Sequence, residues 1–158
     1  MRKVMALLLV LLLLCACAGE RREESIFIYY PAVDALGEGD DSLGREVWRQ
    51  VPSEVNVETL AERMLTPPED GDLYAIFPSG LRLRGWSVEQ RVLTLNFSEP
   101  YSALTGIRLT LANCCAALTF AQLPGVDRVS IQVEGQDLPE GSSGPFSPEN
   151  LLRTGETD

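Results

Sequence analysis

The chain contains no histidine, and its one lysine is Lys3. Without an imidazole or an interior ε-amine it cannot build a Ser-His-Asp triad, a Cys-His pair, a Ser-Lys dyad, a Schiff base or a His-ligated zinc site. Catalysis is restricted to carboxylates, tyrosines, arginines and cysteines. Basic charge is scarce as well, with 13 Lys and Arg against 23 Asp and Glu. Displacing counterions from nucleic acid needs a basic face, so no nucleic-acid partner is expected. Apolar runs are also short. The longest, residues 4–18, has 15 residues, fewer than the ~20 that cross a bilayer.

What that run does carry is more specific. Arg2 and Lys3 precede it, and Leu14-Cys15-Ala16-Cys17 closes it. A basic start, an apolar stretch and Leu, a small residue, Ala, then Cys form the pattern of a lipobox. Small residues let the chain enter a signal peptidase extended, and the thiol receives the lipid. Cys15 is a poor acceptor because Leu14 stands directly before it, so Cys17 is the expected lipid attachment residue. Two or three acyl chains make such anchoring stable where one is marginal. An ordinary cleaved signal and a short transmembrane helix are the competing readings; the charged run Gly19-Glu20-Arg21-Arg22-Glu23-Glu24 argues against the helix. Cleavage before Cys17 removes Arg2 and Lys3 and leaves a net charge of −12 on about 140 residues, enough for one domain with its own core. The expected location is the outer side of the cell membrane, held by the lipid and not by broad contact with anionic headgroups.

The expected organisation is a signal peptide at 1–16, a lipidated Cys17 with a short tether to 24, a folded domain at 25–135, and a Gly/Ser/Pro/acidic tail at 136–158, partly disordered. Residues 25–30 are β-rich and stop at Pro31. Residues 34–44 read as a loop and 45–51 as a second strand. Asn56 is a candidate N-cap, and Val57, Leu60, Ala61, Met64 and Leu65 follow at helical spacing until Pro67-Pro68. Leu81, Leu83, Trp86 and Val88 read as a strand with a bulge at Gly85. After the turn Glu89-Gln90-Arg91, Leu93, Leu95 and Phe97 alternate with polar residues, completing a hairpin. Ile107, Leu111, Cys114, Cys115, Leu118 and Ala121 line one side of a second helix that Pro124-Gly125 stops. Val129, Ile131 and Val133 form the last strand, and Phe146, Leu151 and Leu152 are available to dock part of the tail. The fold class is α+β: a single mixed sheet with two helices packed on one face, in the order β-β-α-β-β-α-β.

Three segments carry a family resemblance: Leu60-Ala-Glu-Arg-Met-Leu-Thr-Pro-Pro68 with Ile76-Phe-Pro-Ser-Gly80; Leu93-Thr-Leu-Asn-Phe-Ser98; and residues 118–135, ending Arg128-Val-Ser-Ile-Gln-Val-Glu-Gly135. Together, over about residues 26–135, the chain resembles the GerMN domain of spore-germination and sporulation lipoproteins. Thr66-Pro67-Pro68 departs from the Gly-Pro that often follows the first helix in that family, and the chain has room for one such domain where some members carry two. The resemblance implies a compact α+β fold related to ring-building motifs. It also implies a binding or assembly role outside the cytoplasmic membrane, in sporulation, germination or the cell envelope, with no catalytic residues to assign. The expected partners are the membrane, through the lipid, and envelope proteins or further copies of the chain.

Other chemistry competes with this reading. Cys114 and Cys115 are adjacent on a helix, where their Cβ vectors diverge; packing as small apolar residues outweighs a redox pair or soft-metal site. Asp34, Glu38, Asp40 and Asp41 suit calcium binding slightly better than a glycosidase, although the EF-hand spacing is absent. Paired carboxylates suit a glycosidase, and Tyr29, Tyr30, Trp48, Trp86 and Tyr101 suit a glycan surface, although aromatics at strand positions commonly pack a core. A carboxylate-dependent cell-wall enzyme or glycan-binding lipoprotein is therefore the alternative. The favoured reading is non-enzymatic, with no catalytic residue, cofactor or metal.

Overall fold

A computed structural model describes residues 23–33, 43–139 and 141–152. The elements run β1 (Glu24–Pro31), β2 (Leu43–Gln50), α1 (Val57–Leu65), β3 (Leu83–Glu89), β4 (Val92–Phe97), α2 (Gly106–Phe120), β5 (Arg128–Val133), β6 (Gln136–Asp137) and α3 (Pro148–Leu152). Short 3-10 helices cover Pro52–Glu54 and Glu99–Ala103. The α+β class holds, but the single sheet does not. The strands form two sheets, an antiparallel β1–β2 ribbon and a four-stranded sheet in the order β3-β4-β5-β6.

The division has a definite cause. One edge of β1 pairs with β2, and the other meets side chains at the end of α2 instead of a strand. The Tyr29 N–H donates to Thr119 Oγ1 at 3.1 Å. The Phe27 N–H donates to Gln122 Oε1 at 2.9 Å, and Gln122 Nε2 donates back to the Phe27 carbonyl at 2.7 Å. Polar side chains thereby satisfy backbone groups that a neighbouring strand would otherwise satisfy.

The core forms between the layers. In β4 and β5, Leu93, Leu95, Phe97, Val129 and Ile131 are fully buried while their sequence neighbours are not. One face of the sheet is therefore covered, and both long helices lie on it. α1 is amphipathic as expected, burying Val57, Leu60, Ala61 and Met64. A capping box starts it: Asn56 Oδ1 accepts from the Thr59 N–H at 2.9 Å, and Thr59 Oγ1 accepts from the Asn56 N–H at 3.1 Å. α2 departs from the one-sided expectation. Ile107 is 58% exposed, whereas Leu111, Ala112, Cys115, Ala116, Ala117, Leu118 and Phe120 are buried around the helix. The sheet packs on one side of α2 and the ribbon on another, and the alanines permit close approach.

β3 and β4 form the expected hairpin, with a register shift between Leu83 and Gly85. Its turn residues Gln90 and Arg91 have φ of 48° and 64°, the left-handed region that a two-residue turn requires and that most side chains resist. Asparagine tolerates that region better. Gln90→Asn is expected to raise the unfolding free energy by ~0.5–1 kcal/mol, measured as a higher urea midpoint at unchanged slope; no gain would show that this turn is not strained.

Packing continues beyond Gly135. β6 pairs with β5 at Gln132 and Val133. Further along the same edge, Val129 and Phe146 exchange backbone hydrogen bonds of 2.9 and 2.7 Å, and the Ile131 N–H donates to the Ser143 carbonyl at 2.7 Å. Asn113 Nδ2 holds the Ser142 carbonyl at 2.7 Å while Asn113 Oδ1 accepts from the buried Tyr101 hydroxyl at 2.7 Å. The segment through 152 thus covers one edge of β5, and Phe146 and Leu151 pack against the core, consistent with the docking expected of them.

Candidate interaction surface

Arg82 to Glu89 brings the chain to the opposite edge of the larger sheet. β4 occupies one side of β3, and no strand occupies the other among the described residues. Past the bulge, Trp86 pairs with Leu95 and Val88 with Leu93, so both side chains stand on the helix-bearing face. They remain 45% and 44% exposed. Trp86 Nε1 donates to Glu58 Oε1 in the first turn of α1 at 2.7 Å, and this bond holds the Glu58 carboxyl below its ordinary range.

Between α1 and the approach to β3 lies a groove of about 540 Å³, lined among others by Glu58, Ala61, Glu62, Leu65, Leu81 and Leu83. Ala61, Leu65, Leu81 and Leu83 give it an apolar lining, its α1 wall carries two carboxylates one helical turn apart, and Arg82 also lines it. The arrangement offers three things to an extended chain: unpaired backbone donors and acceptors, an apolar recess for alternate side chains, and acidic groups for a cation. Those are the requirements for adding a strand to an open sheet edge.

The other sequence candidates fall elsewhere. Cys17 and the acidic residues Asp34, Glu38, Asp40 and Asp41 lie outside the described residues. Cys115 is fully buried and Cys114 partly so, both as free thiols. Burial pushes both thiols up, away from the thiolate that redox or metal chemistry requires. Tyr30 and Tyr101 are core residues, with Tyr101 stacked on Phe97 at 5.1 Å between ring centroids. Trp48 packs against the core, and Tyr29 is half-buried on the outer side of the ribbon. The five aromatics therefore do not form one surface. Among the described residues, no group of three or more Cys, Asp or Glu side chains is placed to hold a metal ion.

Sequence reasoning singled out Trp86 but not its partner Glu58, nor Glu62 and Leu81 in the adjoining groove. Glu58 and Glu62 are spaced by one turn, which marks a helix face, but nothing local indicates which strand that face adjoins.

The family model described as Germane, sporulation and spore germination, matches residues 28–139. The chain belongs to this family. Two solved structures show the same fold. The tandem GerMN domains of the sporulation protein GerM from Bacillus subtilis align with a TM-score of 0.55 at 19% identity, covering 79% of this chain and 44% of that one. The first GerMN domain of GerM alone aligns with a TM-score of 0.55 at 11% identity, covering 77% of this chain and 94% of that one. The Germane domain here thus spans less than half of the tandem structure and nearly all of a single GerMN domain. A candidate lipoprotein from Clostridium perfringens aligns at 18% identity with a TM-score of 0.50, covering 81% of this chain and 89% of that one. No curated protein sequence matches the chain. Among the described residues of the Germane domain, no helix is long and apolar enough to cross a membrane.

Proposed function

We propose that this protein is a lipid-anchored, extracytoplasmic member of the Germane family. On this reading its domain acts as a non-enzymatic binding or assembly module in the cell envelope, in sporulation or germination. The open edge of β3 beside the α1 groove carries the proposal. An edge strand with exposed Trp86 and Val88 is a liability unless something pairs with it. The partner is an envelope protein or a second copy of the chain that contributes an extended segment. The lipobox at residues 14–17 and the likeness to sporulation-type GerMN domains support the location.

A photocrosslinking residue at Ser87, exposed on β3, tests the reading in intact cells. A discrete crosslinked species is expected. Trp86→Ala should weaken that complex by ~2 kcal/mol, roughly 30-fold, as for an interface aromatic anchor, with the circular dichroism spectrum unchanged. Crosslinking as efficient with Trp86→Ala as without it would remove β3 as the contact.

A further inference from the structure

The β1–β2 ribbon has an outer face used by neither the core nor the β3 edge. Its register sets Ser25 against Arg49, Phe27 against Val47, and Tyr29 against Arg45. These six side chains alternate with Ile28 and Tyr30, which are fully buried, so they share the side turned away from the core. Val47 is 54% exposed, Arg45 and Arg49 are exposed, and Phe27 and Tyr29 are half-buried. The Arg45 guanidinium lies 4.2 Å from the Phe27 ring centroid, a stacking that leaves its N–H groups free to meet an anion. The ion pairs among the described residues involve Arg63, Arg84 and Arg91, not Arg45 or Arg49. Among the paired residues of β1 and β2, no acidic side chain shares this face, on a chain whose net charge is −10.

Its position along the chain matters equally. β1 begins at Glu24, paired with Gln50, seven residues after Cys17. Fully extended, that stretch reaches at most ~25 Å, and its Arg21 and Arg22 are balanced by Glu20 and Glu23, so attraction to the surface falls to the ribbon.

We propose that Phe27, Tyr29, Val47, Arg45 and Arg49 dock the ribbon on the anionic headgroups of the leaflet that holds the anchor. The inference rests on the reading of Cys17 as a lipid attachment residue. Arginines near a membrane surface are drawn to anionic headgroups, and amphipathic aromatics sit at the interface between headgroup and acyl chain. The tether keeps the face at high local concentration, so a weak contact is populated. The acidic remainder of the domain is repelled from the same surface. The net charge opposes broad contact, while this one face allows a defined orientation.

The test uses the full acylated chain reconstituted in phosphatidylcholine vesicles with and without phosphatidylglycerol. Hydrogen exchange of the β2 amides, measured by mass spectrometry, is the readout. Exchange in the ribbon is expected to slow roughly tenfold when phosphatidylglycerol is present and to recover at high salt. Arg45→Glu with Arg49→Glu should abolish the slowing while leaving exchange in β4 unchanged, which shows the domain intact. Equal exchange on both vesicles, slowing that survives the double charge reversal, or slowing produced only by a soluble anionic glycan would each overturn the docking. A chain with no acyl mass on Cys17 that stays off both vesicles would instead overturn the anchor reading.

Discussion

Glu46→Ala is expected to lower the unfolding free energy by ~3 kcal/mol, a large part of the ~5–15 kcal/mol that holds a domain of this size. Glu46 points inward from β2, where its side chain is 11% exposed. Its Oε2 accepts from Arg63 Nη2 at 2.6 Å, from an arginine side chain that is 18% exposed. Its Oε1 accepts the backbone N–H groups of Glu69 and Asp70 at 2.6 and 2.9 Å. Arg63 Nη1 also reaches the Tyr30 hydroxyl at 3.3 Å, and that hydroxyl lies 2.9 Å from the Thr66 carbonyl it can donate to. Burial pushes the Tyr30 phenol up to about 12, so it remains a donor throughout the neutral range. One carboxylate therefore ties the ribbon, the end of α1 and the chain beyond Pro67-Pro68 together. Removing it strands a largely buried guanidinium, while the exposed Glu69 and Asp70 N–H groups turn to water. The urea midpoint should fall, and limited proteolysis should open at residues 66–72 first. Glu46→Gln keeps an acceptor oxygen without the charge and should lie between the two. A loss below ~1 kcal/mol for Glu46→Ala would show that water replaces these contacts freely.

Cys17→Ala is expected to move the protein from the membrane fraction to the soluble or secreted fraction and to abolish acyl labelling. The effect should be nearly complete. Stable anchoring requires either two acyl chains or one chain with a second attraction, and the ribbon face alone, with two arginines, does not hold the domain at low concentration. Fractionation with metabolic acyl labelling measures both consequences. Labelling that persists in the variant would mean that Cys17 is not the acceptor. Cys15→Ala serves as the control and should leave both readouts unchanged.

Much of the local structure was legible in the residues. Asn56 at the head of a Val57, Leu60, Ala61, Met64 spacing marks a capped amphipathic helix, and the structure has it. Leu93, Leu95 and Phe97 mark a half-buried strand, and Gly85 marks the bulge. Each of these signals arises from groups within about four residues of one another. The two-sheet division had no such signal. It depends on Thr119 and Gln122 meeting the β1 backbone from 90 and 95 residues away, and neither residue is unusual at a helix end. The burial of α2 on more than one side has the same origin. Its alanines and cysteines look like an ordinary apolar stripe until two layers close on it from different sides. The candidate surface was half visible: Trp86 stood out, but its surroundings depend on where α1 begins above the sheet.

Composition alone removed histidine and lysine chemistry and set the acidic charge, and the motif at residues 14–17 directed expectation toward an anchored module. Period and spacing alone were sufficient for the helices, the hairpin and the likeness to a family. Tertiary structure decided which strand edges stay open, because every strand presents the same row of N–H and C=O groups and no side chain records whether a partner arrives. It also decided that Arg45 and Arg49 share one face with Phe27 and Tyr29, since that follows from the β1–β2 register and not from their order along the chain.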